Sequence, residues 1–172
     1  MTWTAPAVDR RDFLAGGDER EALEGFLDYH RNTLLLKCSG LTGEQLASRP
    51  LATTSLSLLG LVRHLAEVER SWFRQRFDGN EAVGDLYFTE EYPDADFDFG
   101  TADSAENDLA TFVRELELVR ETVAGRSLDE PFPWKSDELS LRWIYLHMLE
   151  EYARHNGHAD LLREAIDGVT GE

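Results

Sequence analysis

Four stretches of the chain place apolar residues three and four positions apart, which is the spacing of amphipathic helices. Asp18 and Glu21 have the spacing of a capping box at the start of the first stretch, and Gly40, Gly79, Gly125 and Gly168 follow the four ends. The pattern predicts helices over about 18–38, from 55 or 57 to 77, from about 101–104 to the residue before Gly125, and from about 140 to the residue before Gly168.

No stretch alternates apolar and polar residues strongly enough to predict a sheet, although residues 133–139 could form a short extended piece. A second capping pair, Thr42 and Gln45, predicts one or two helical turns before Pro50. The predicted fold class is therefore all-α, an up-and-down four-helix bundle. The length of 172 residues indicates one domain over 1–172, with 1–16 as an extended N-terminal arm.

The predicted loop between the second and third helices, from Gly79 to Gly100, is unusually long. It alternates aromatic residues with acidic ones. The aromatic residues are Tyr87, Phe88, Tyr92, Phe97 and Phe99, and the acidic ones are Glu90, Glu91, Asp94, Asp96 and Asp98. Two interpretations stay open: a solvated connector, or a lid or pocket wall over one end of the bundle.

Composition excludes several classes of function. With 34 acidic and 17 basic residues, the formal charge of -17 would repel nucleic acid and anionic membranes. The longest stretch without a charged residue, 50–62, is too short to span a bilayer, and the N-terminus shows no export signal, so we expect a cytoplasmic location. Cys38 is the only cysteine, so any metal must be held by histidines and carboxylates.

Histidines and a glutamate share one face of the fourth predicted helix, because His147, Glu151, His155 and His158 are three and four positions apart. Glu151 and His155 have the spacing at which one helix chelates a metal ion. His64, near the middle of the second helix, is the candidate third ligand. His147 and His158 would lie beside the ligands as auxiliary groups. Taken singly, each residue also has a structural explanation, as a core histidine or a surface ion pair.

Two histidines and one glutamate leave coordination positions open, as a catalytic metal requires. Zinc ranks first among the divalent ions, before nickel, iron and manganese. Such an ion could act as a Lewis acid, activate water or bind a thiol as its thiolate.

Two segments resemble the DinB/YfiT-like metalloenzyme superfamily: LVRHLAEVER at 61–70 and, more specifically, HMLEEYARHNGHADLLRE at 147–164. The resemblance extends to the order and spacing of all four helices. It implies a four-helix bundle whose divalent metal is held by His64, Glu151 and His155. This His-Glu-His set is similar to the branch typified by mycothiol-dependent maleylpyruvate isomerase, whose additional C-terminal domain we expect to be absent here.

The resemblance implies a transferase or isomerase that joins a low-molecular-weight thiol, such as mycothiol or bacillithiol, to a small electrophile. The metal would lower the pKa of the thiol and hold the thiolate against the substrate. Two alternatives stay open. One is a metal-dependent hydrolase in which Glu67, His147 or His158 assists proton transfer, and the other is a non-catalytic bundle that binds a ligand or partner. The expected partner is a small molecule, and pairing through a helix face would give a homodimer.

Overall fold

A computed structural model describes residues 2–10 and 17–170 and shows a predominantly helical chain. Four helices are long and two are short. They are α1 (Glu19–Cys38), α2 (Gly43–Ala47), α3 (Leu58–Glu69), α4 (Ala95–Asp98), α5 (Ala105–Val123) and α6 (Leu141–Asp167). The four long helices lie where the hydrophobic periodicity predicts them.

Side-chain caps set the beginnings of α1, α2, α3 and α6. The Asp18 carboxylate accepts from the backbone N–H of Glu21, whose own carboxylate accepts from the N–H of Asp18. The Thr42 and Gln45 pair makes the same reciprocal contacts at α2. Both predicted capping boxes are therefore confirmed. At the other end of α6, Gly168 takes the left-handed conformation (φ 78°) that ends a helix.

The long helices enclose the hydrophobic core. Helix α1 packs along α6, and α3 packs on α5 and α6. Side chains from all four helices are fully buried, among them Leu34, Leu61, Phe112 and Ile144. The helical class is thus confirmed in the described residues, while the up-and-down bundle topology remains a prediction.

The expectation that the chain forms no sheet is wrong. Strands β1 (Pro131–Trp134) and β2 (Asp137–Ser140) pair antiparallel in a hairpin, with Trp134 opposite Asp137. Lys135 turns the chain between them with a positive φ of 55°. Strands of four residues are too short to show an alternating pattern, and two prolines in β1 lower its β-propensity further.

The second predicted helix is not α-helical throughout. After α3 the chain continues as a π-helical segment, Arg70–Phe77, in which Asp78 donates to the carbonyl of Phe73 five positions earlier. Such wider turns often occur at functional sites. The segment carries Trp72 and Arg76, which lie beside the candidate site described below.

The N-terminal residues 2–10 run along the outside of the helices. Thr4 forms an isolated bridge with Thr42, and Ala5 exchanges backbone hydrogen bonds with Leu41 and Gly40. Residues 1 and 11–16 of the predicted arm lie outside the described residues. Within 2–10 and 17–170, no helix is long and apolar enough to cross a membrane.

Candidate metal site

The structure brings His64, Glu151 and His155 together. His64 comes from the middle of α3, and Glu151 and His155 lie one turn apart on α6. One nitrogen or oxygen atom from each residue lies within 4.8 Å of the others, so the three could hold one metal ion. Two imidazoles and one carboxylate form a donor set that suits zinc and related divalent ions.

His64 is oriented by a residue from the long loop. Its Nδ1 atom lies 2.8 Å from Oδ2 of Asp96, which is buried. Because a carboxylate only accepts hydrogen bonds, the Nδ1–H of His64 donates, which leaves the Nε2 lone pair for a cation. The ring of Phe97 stacks on the imidazole, with centroids 4.4 Å apart. This packing and the hydrogen bond fix the direction of the ring.

His155 is the most buried of the three, with 11% of its side chain exposed. Burial, together with the neighbouring His64 and His158, lowers its pKa to about 4. The imidazole is therefore neutral at physiological pH, the form that binds metal. Among the described residues its buried Nδ1 atom has no hydrogen-bond partner, whereas the other ring nitrogen, Nε2, faces the Glu151 carboxylate.

Glu151 is one-quarter exposed, and within residues 2–10 and 17–170 it pairs with no arginine. Its Oε2 lies 3.4 Å from Nε2 of His155, and its Oε1 lies 3.7 Å from Nε2 of His147. The structure disfavours an ion pair with Arg154, which binds Glu150 at 2.6 Å instead. The Glu151 carboxylate therefore lies near two imidazoles and remains available as a metal ligand.

His147 and His158 flank the group without joining it. His147 stacks on Trp143, with ring centroids 5.0 Å apart, and meets the edge of Trp72 at 4.7 Å. His158 packs edge-on to His155 at 5.4 Å, and its Nδ1 is buried without a partner. Both lie beside the candidate ligands, and their role as auxiliary groups stays a prediction.

The long loop forms one wall of the site. The Glu67 carboxylate of α3 accepts the backbone N–H groups of Leu86, Tyr87 and Phe88 at 2.6–3.2 Å. Arg63 donates to the carbonyls of Ala95 and Asp96, both at 2.9 Å. Two side chains of α3 thus hold the loop, and the geometry favours the pocket wall over the solvated connector. Because Glu67 is occupied in this way, the structure disfavours it as a proton carrier.

A group of aromatic residues that the sequence analysis did not connect lies on the other side of the site. The ring centroid of Trp72 lies 5.1 Å from that of Trp134 and 5.1 Å from that of Trp143. These three residues are here called the tryptophan cluster. Trp72 follows His64 by two turns on one helix, and Trp143 precedes Glu151 by two turns on another. The spacing of Trp72 and Trp143 from the candidate ligands is the only feature of the sequence that indicates the cluster. Nothing in the sequence indicates that Trp134 belongs to it.

Cys38 has no part in the site. It is fully buried, and burial raises its pKa to about 12. A thiol with so high a pKa is inert as a nucleophile at neutral pH. Any thiol that reacts at this site must therefore come from a bound molecule.

Comparison with known families gives one informative match. A family model described as Mycothiol-S-transferase matches residues 22–168, which includes all four long helices except the first three residues of α1. No curated protein matches the chain, and no solved structure matches it. The family is DinB/YfiT-like, so the resemblance inferred from the sequence is confirmed.

Proposed function

Because the chain belongs to the mycothiol-S-transferase family, we propose that it is a divalent-metal-dependent transferase that joins a mycothiol-type thiol to a small electrophile. The observation that carries the proposal is the convergence of His64, Glu151 and His155 within 4.8 Å. The largely buried imidazole of His155 supports it, because its Nε2 lies 3.4 Å from Oε2 of Glu151 and its lowered pKa keeps it in the neutral form that binds metal. Zinc is the ion that this donor set suits best.

A divalent cation, when bound, supplies positive charge that lowers the pKa of a thiol and stabilises its thiolate. The chain's own residues provide the orientation. Asp96 holds the Nδ1–H of His64, and Phe97 packs against the ring, so Nε2 keeps one direction. Three protein ligands leave positions free for the sulfur of the thiol.

His147 is the residue that we propose accepts the thiol proton. Its Nε2 lies 3.7 Å from Oε1 of Glu151, and its ring is held between Trp72 and Trp143. The sulfur electron pair then forms the new carbon–sulfur bond, and the leaving group departs with the electron pair of the bond that breaks. When the electrophile is an alkene, its carbon takes the proton back from His147 instead.

A transfer assay tests the proposal. Purified protein is incubated with zinc, mycothiol and a panel of electrophiles that includes an alkyl halide, an epoxide and an activated alkene. We expect conjugation that requires both thiol and metal, and that falls at least 100-fold in Glu151→Gln. Glu150→Gln, an exposed neighbour paired with Arg154, is the matched control and should retain activity.

The assay also separates the two alternatives. Turnover of an ester or amide without any thiol would contradict the transferase and favour a metal-dependent hydrolase. Metal binding without acceleration of any conjugation would contradict the transferase and favour a non-catalytic binding protein.

A further inference from the structure

An aromatic surface leads away from the candidate ligands to an arginine that the proposed mechanism does not use. The Trp72 ring meets the ring of His147, which in turn lies next to Glu151. The Arg76 guanidinium carbon lies 4.5 Å from the Trp72 centroid and 4.6 Å from that of Trp134. Arg76 is therefore in contact with the tryptophan cluster and is connected through it to the metal site.

Most hydrogen-bonding capacity of Arg76 is unused. Nη1 donates to the Ser71 hydroxyl, five positions earlier in the π-helical segment. Nε and Nη2 have no acceptor among the residues that the structure describes, and they are not sealed from solvent. Two adjacent N–H groups of a guanidinium match the two oxygens of a carboxylate.

The charge environment of Arg76 is unusual for this chain. Acidic residues outnumber basic ones two to one, yet within residues 2–10 and 17–170 only Arg10 and Arg76 among the arginines form no ion pair with a carboxylate. Burial lowers the pKa of Arg76, and the charge of Asp85 only partly offsets this. Asp85 itself accepts from Gln75 at 3.0 Å. A half-buried guanidinium that stacks on two indole rings but has no carboxylate partner among the described residues can bind an anion through its free N–H groups.

We propose that Arg76 binds a carboxylate on the small electrophilic substrate, while the tryptophan cluster contacts the flat apolar body of that substrate. The reaction of the other end of the substrate at the metal site rests on the proposed function. The binding of the carboxylate by Arg76 does not. Trp143, a member of the cluster, lies eight residues before Glu151, about 12 Å along α6. A substrate that extends over the cluster from the metal ligands to Arg76 is therefore expected to be about as long as two linked aromatic rings, on the order of 10 Å.

Calorimetry tests the subsite without any reaction. The probes are biphenyl carboxylate and the uncharged biphenyl carboxamide, titrated into the zinc-loaded wild type, Arg76→Gln, Arg76→Lys and Arg154→Gln. Arg154 is an exposed arginine on α6 and serves as the matched control. We expect the wild type and Arg154→Gln to prefer the carboxylate about tenfold. Arg76→Gln should lose this preference, and Arg76→Lys should retain part of it because it keeps the charge.

Equal affinity for the two probes in the wild type, no binding of either, or an unchanged preference in Arg76→Gln would overturn the subsite. If Arg76→Gln does not fold, as judged by circular dichroism, Arg76→Lys decides the question. Loss of the planar guanidinium should then lower carboxylate affinity severalfold and leave carboxamide affinity unchanged, and equal carboxylate affinity would overturn the proposal.

Turnover separates this inference from the proposed function. Bromomethyl-biphenyl carboxylate and its carboxamide have the same reacting carbon, so the ratio of their kcat/KM values with mycothiol reports the subsite alone. We expect a ratio of about ten in the wild type and about one in Arg76→Gln. Turnover of both at equal rates overturns only the subsite. Turnover of neither contradicts the transfer reaction, and calorimetry then decides the subsite.

Discussion

The Nδ1 atom of His64 lies 2.8 Å from Oδ2 of Asp96, although the two residues are 32 positions apart in the chain. His64 belongs to a long helix, and Asp96 belongs to the short α4 within the acidic loop. The loop therefore contributes to the candidate metal site directly, by holding one imidazole in the tautomer and direction that a cation needs.

Replacing Asp96 should weaken metal binding without removing a ligand. We expect Asp96→Asn to lower zinc affinity about 10- to 100-fold, because an amide carries no charge and holds the Nδ1–H of His64 less strongly. Competition with a chromogenic chelator measures the change. Asp98→Asn, an exposed carboxylate on the same short helix, is the matched control. Equal zinc affinity in the wild type and Asp96→Asn would show that Asp96 does not support the site.

Glu67 should fix the loop rather than take part in chemistry. We expect Glu67→Ala to lower the free energy of unfolding by about 2 kcal/mol, because three backbone N–H groups lose a charged acceptor. Hydrogen exchange should increase at residues 84–94 and stay unchanged in α1 and α6. Glu90→Ala, exposed in the same loop, controls for lost charge. Unchanged exchange of the loop amides in Glu67→Ala would contradict this role.

The residues that the sequence could identify are those fixed by local rules. The capping pairs at Asp18 and Thr42 and the final Gly168 define helix ends within a few positions, so local sequence determines them. The pairing of Glu151 with His155 follows from the helical repeat alone. His64 could be predicted to face Glu151 and His155 because polar groups at the edge of an apolar helix stripe are expected to face the core.

Asp96 and the tryptophan cluster depend on contacts that no local rule contains. Asp96 is one of seven acidic residues in the loop that look alike in sequence, and its burial against His64 results from the anchoring of the loop by Glu67 and Arg63. Trp134 reaches Trp72 because a hairpin of two four-residue strands folds beside a π-helical segment. Neither element has a periodic pattern long enough to detect.

A buried ion pair next to the site should be essential for stability. Glu69 is fully buried and accepts from Arg31 at 2.6 and 2.7 Å and from the Tyr152 hydroxyl at 2.8 Å. Glu69→Ala leaves the Arg31 charge uncompensated, so we expect the free energy of unfolding to fall by about 3–5 kcal/mol in urea titrations. Tyr152→Phe should cost about 1–2 kcal/mol.

The double variant Arg31→Met with Glu69→Leu is the informative control for this pair. Removing both charges leaves no unpaired ion, so it should be more stable than Glu69→Ala alone. A double variant less stable than the single one would mean that packing, not the uncompensated charge, causes the loss.

His30 should make stability depend on pH independently of the metal site. Burial lowers its pKa from the ordinary 6.5, so below that value the unfolded chain takes up a proton before the folded one does. Its contribution is therefore present above about pH 6.5 and lost as the pH falls toward the lower folded pKa. Between about pH 7.5 and 5.5, we expect the metal-free wild type to lose more unfolding free energy than His30→Gln. Parallel pH curves would contradict this.

Metal content per chain tests the central claim most directly. Untagged wild type, Glu151→Ala and Glu150→Ala are reconstituted with zinc, dialysed and measured by mass spectrometry. A site formed by His64, Glu151 and His155 predicts about one equivalent in the wild type and in Glu150→Ala, and a large loss in Glu151→Ala. No bound metal in the reconstituted wild type, or equal content in Glu151→Ala, would contradict the account.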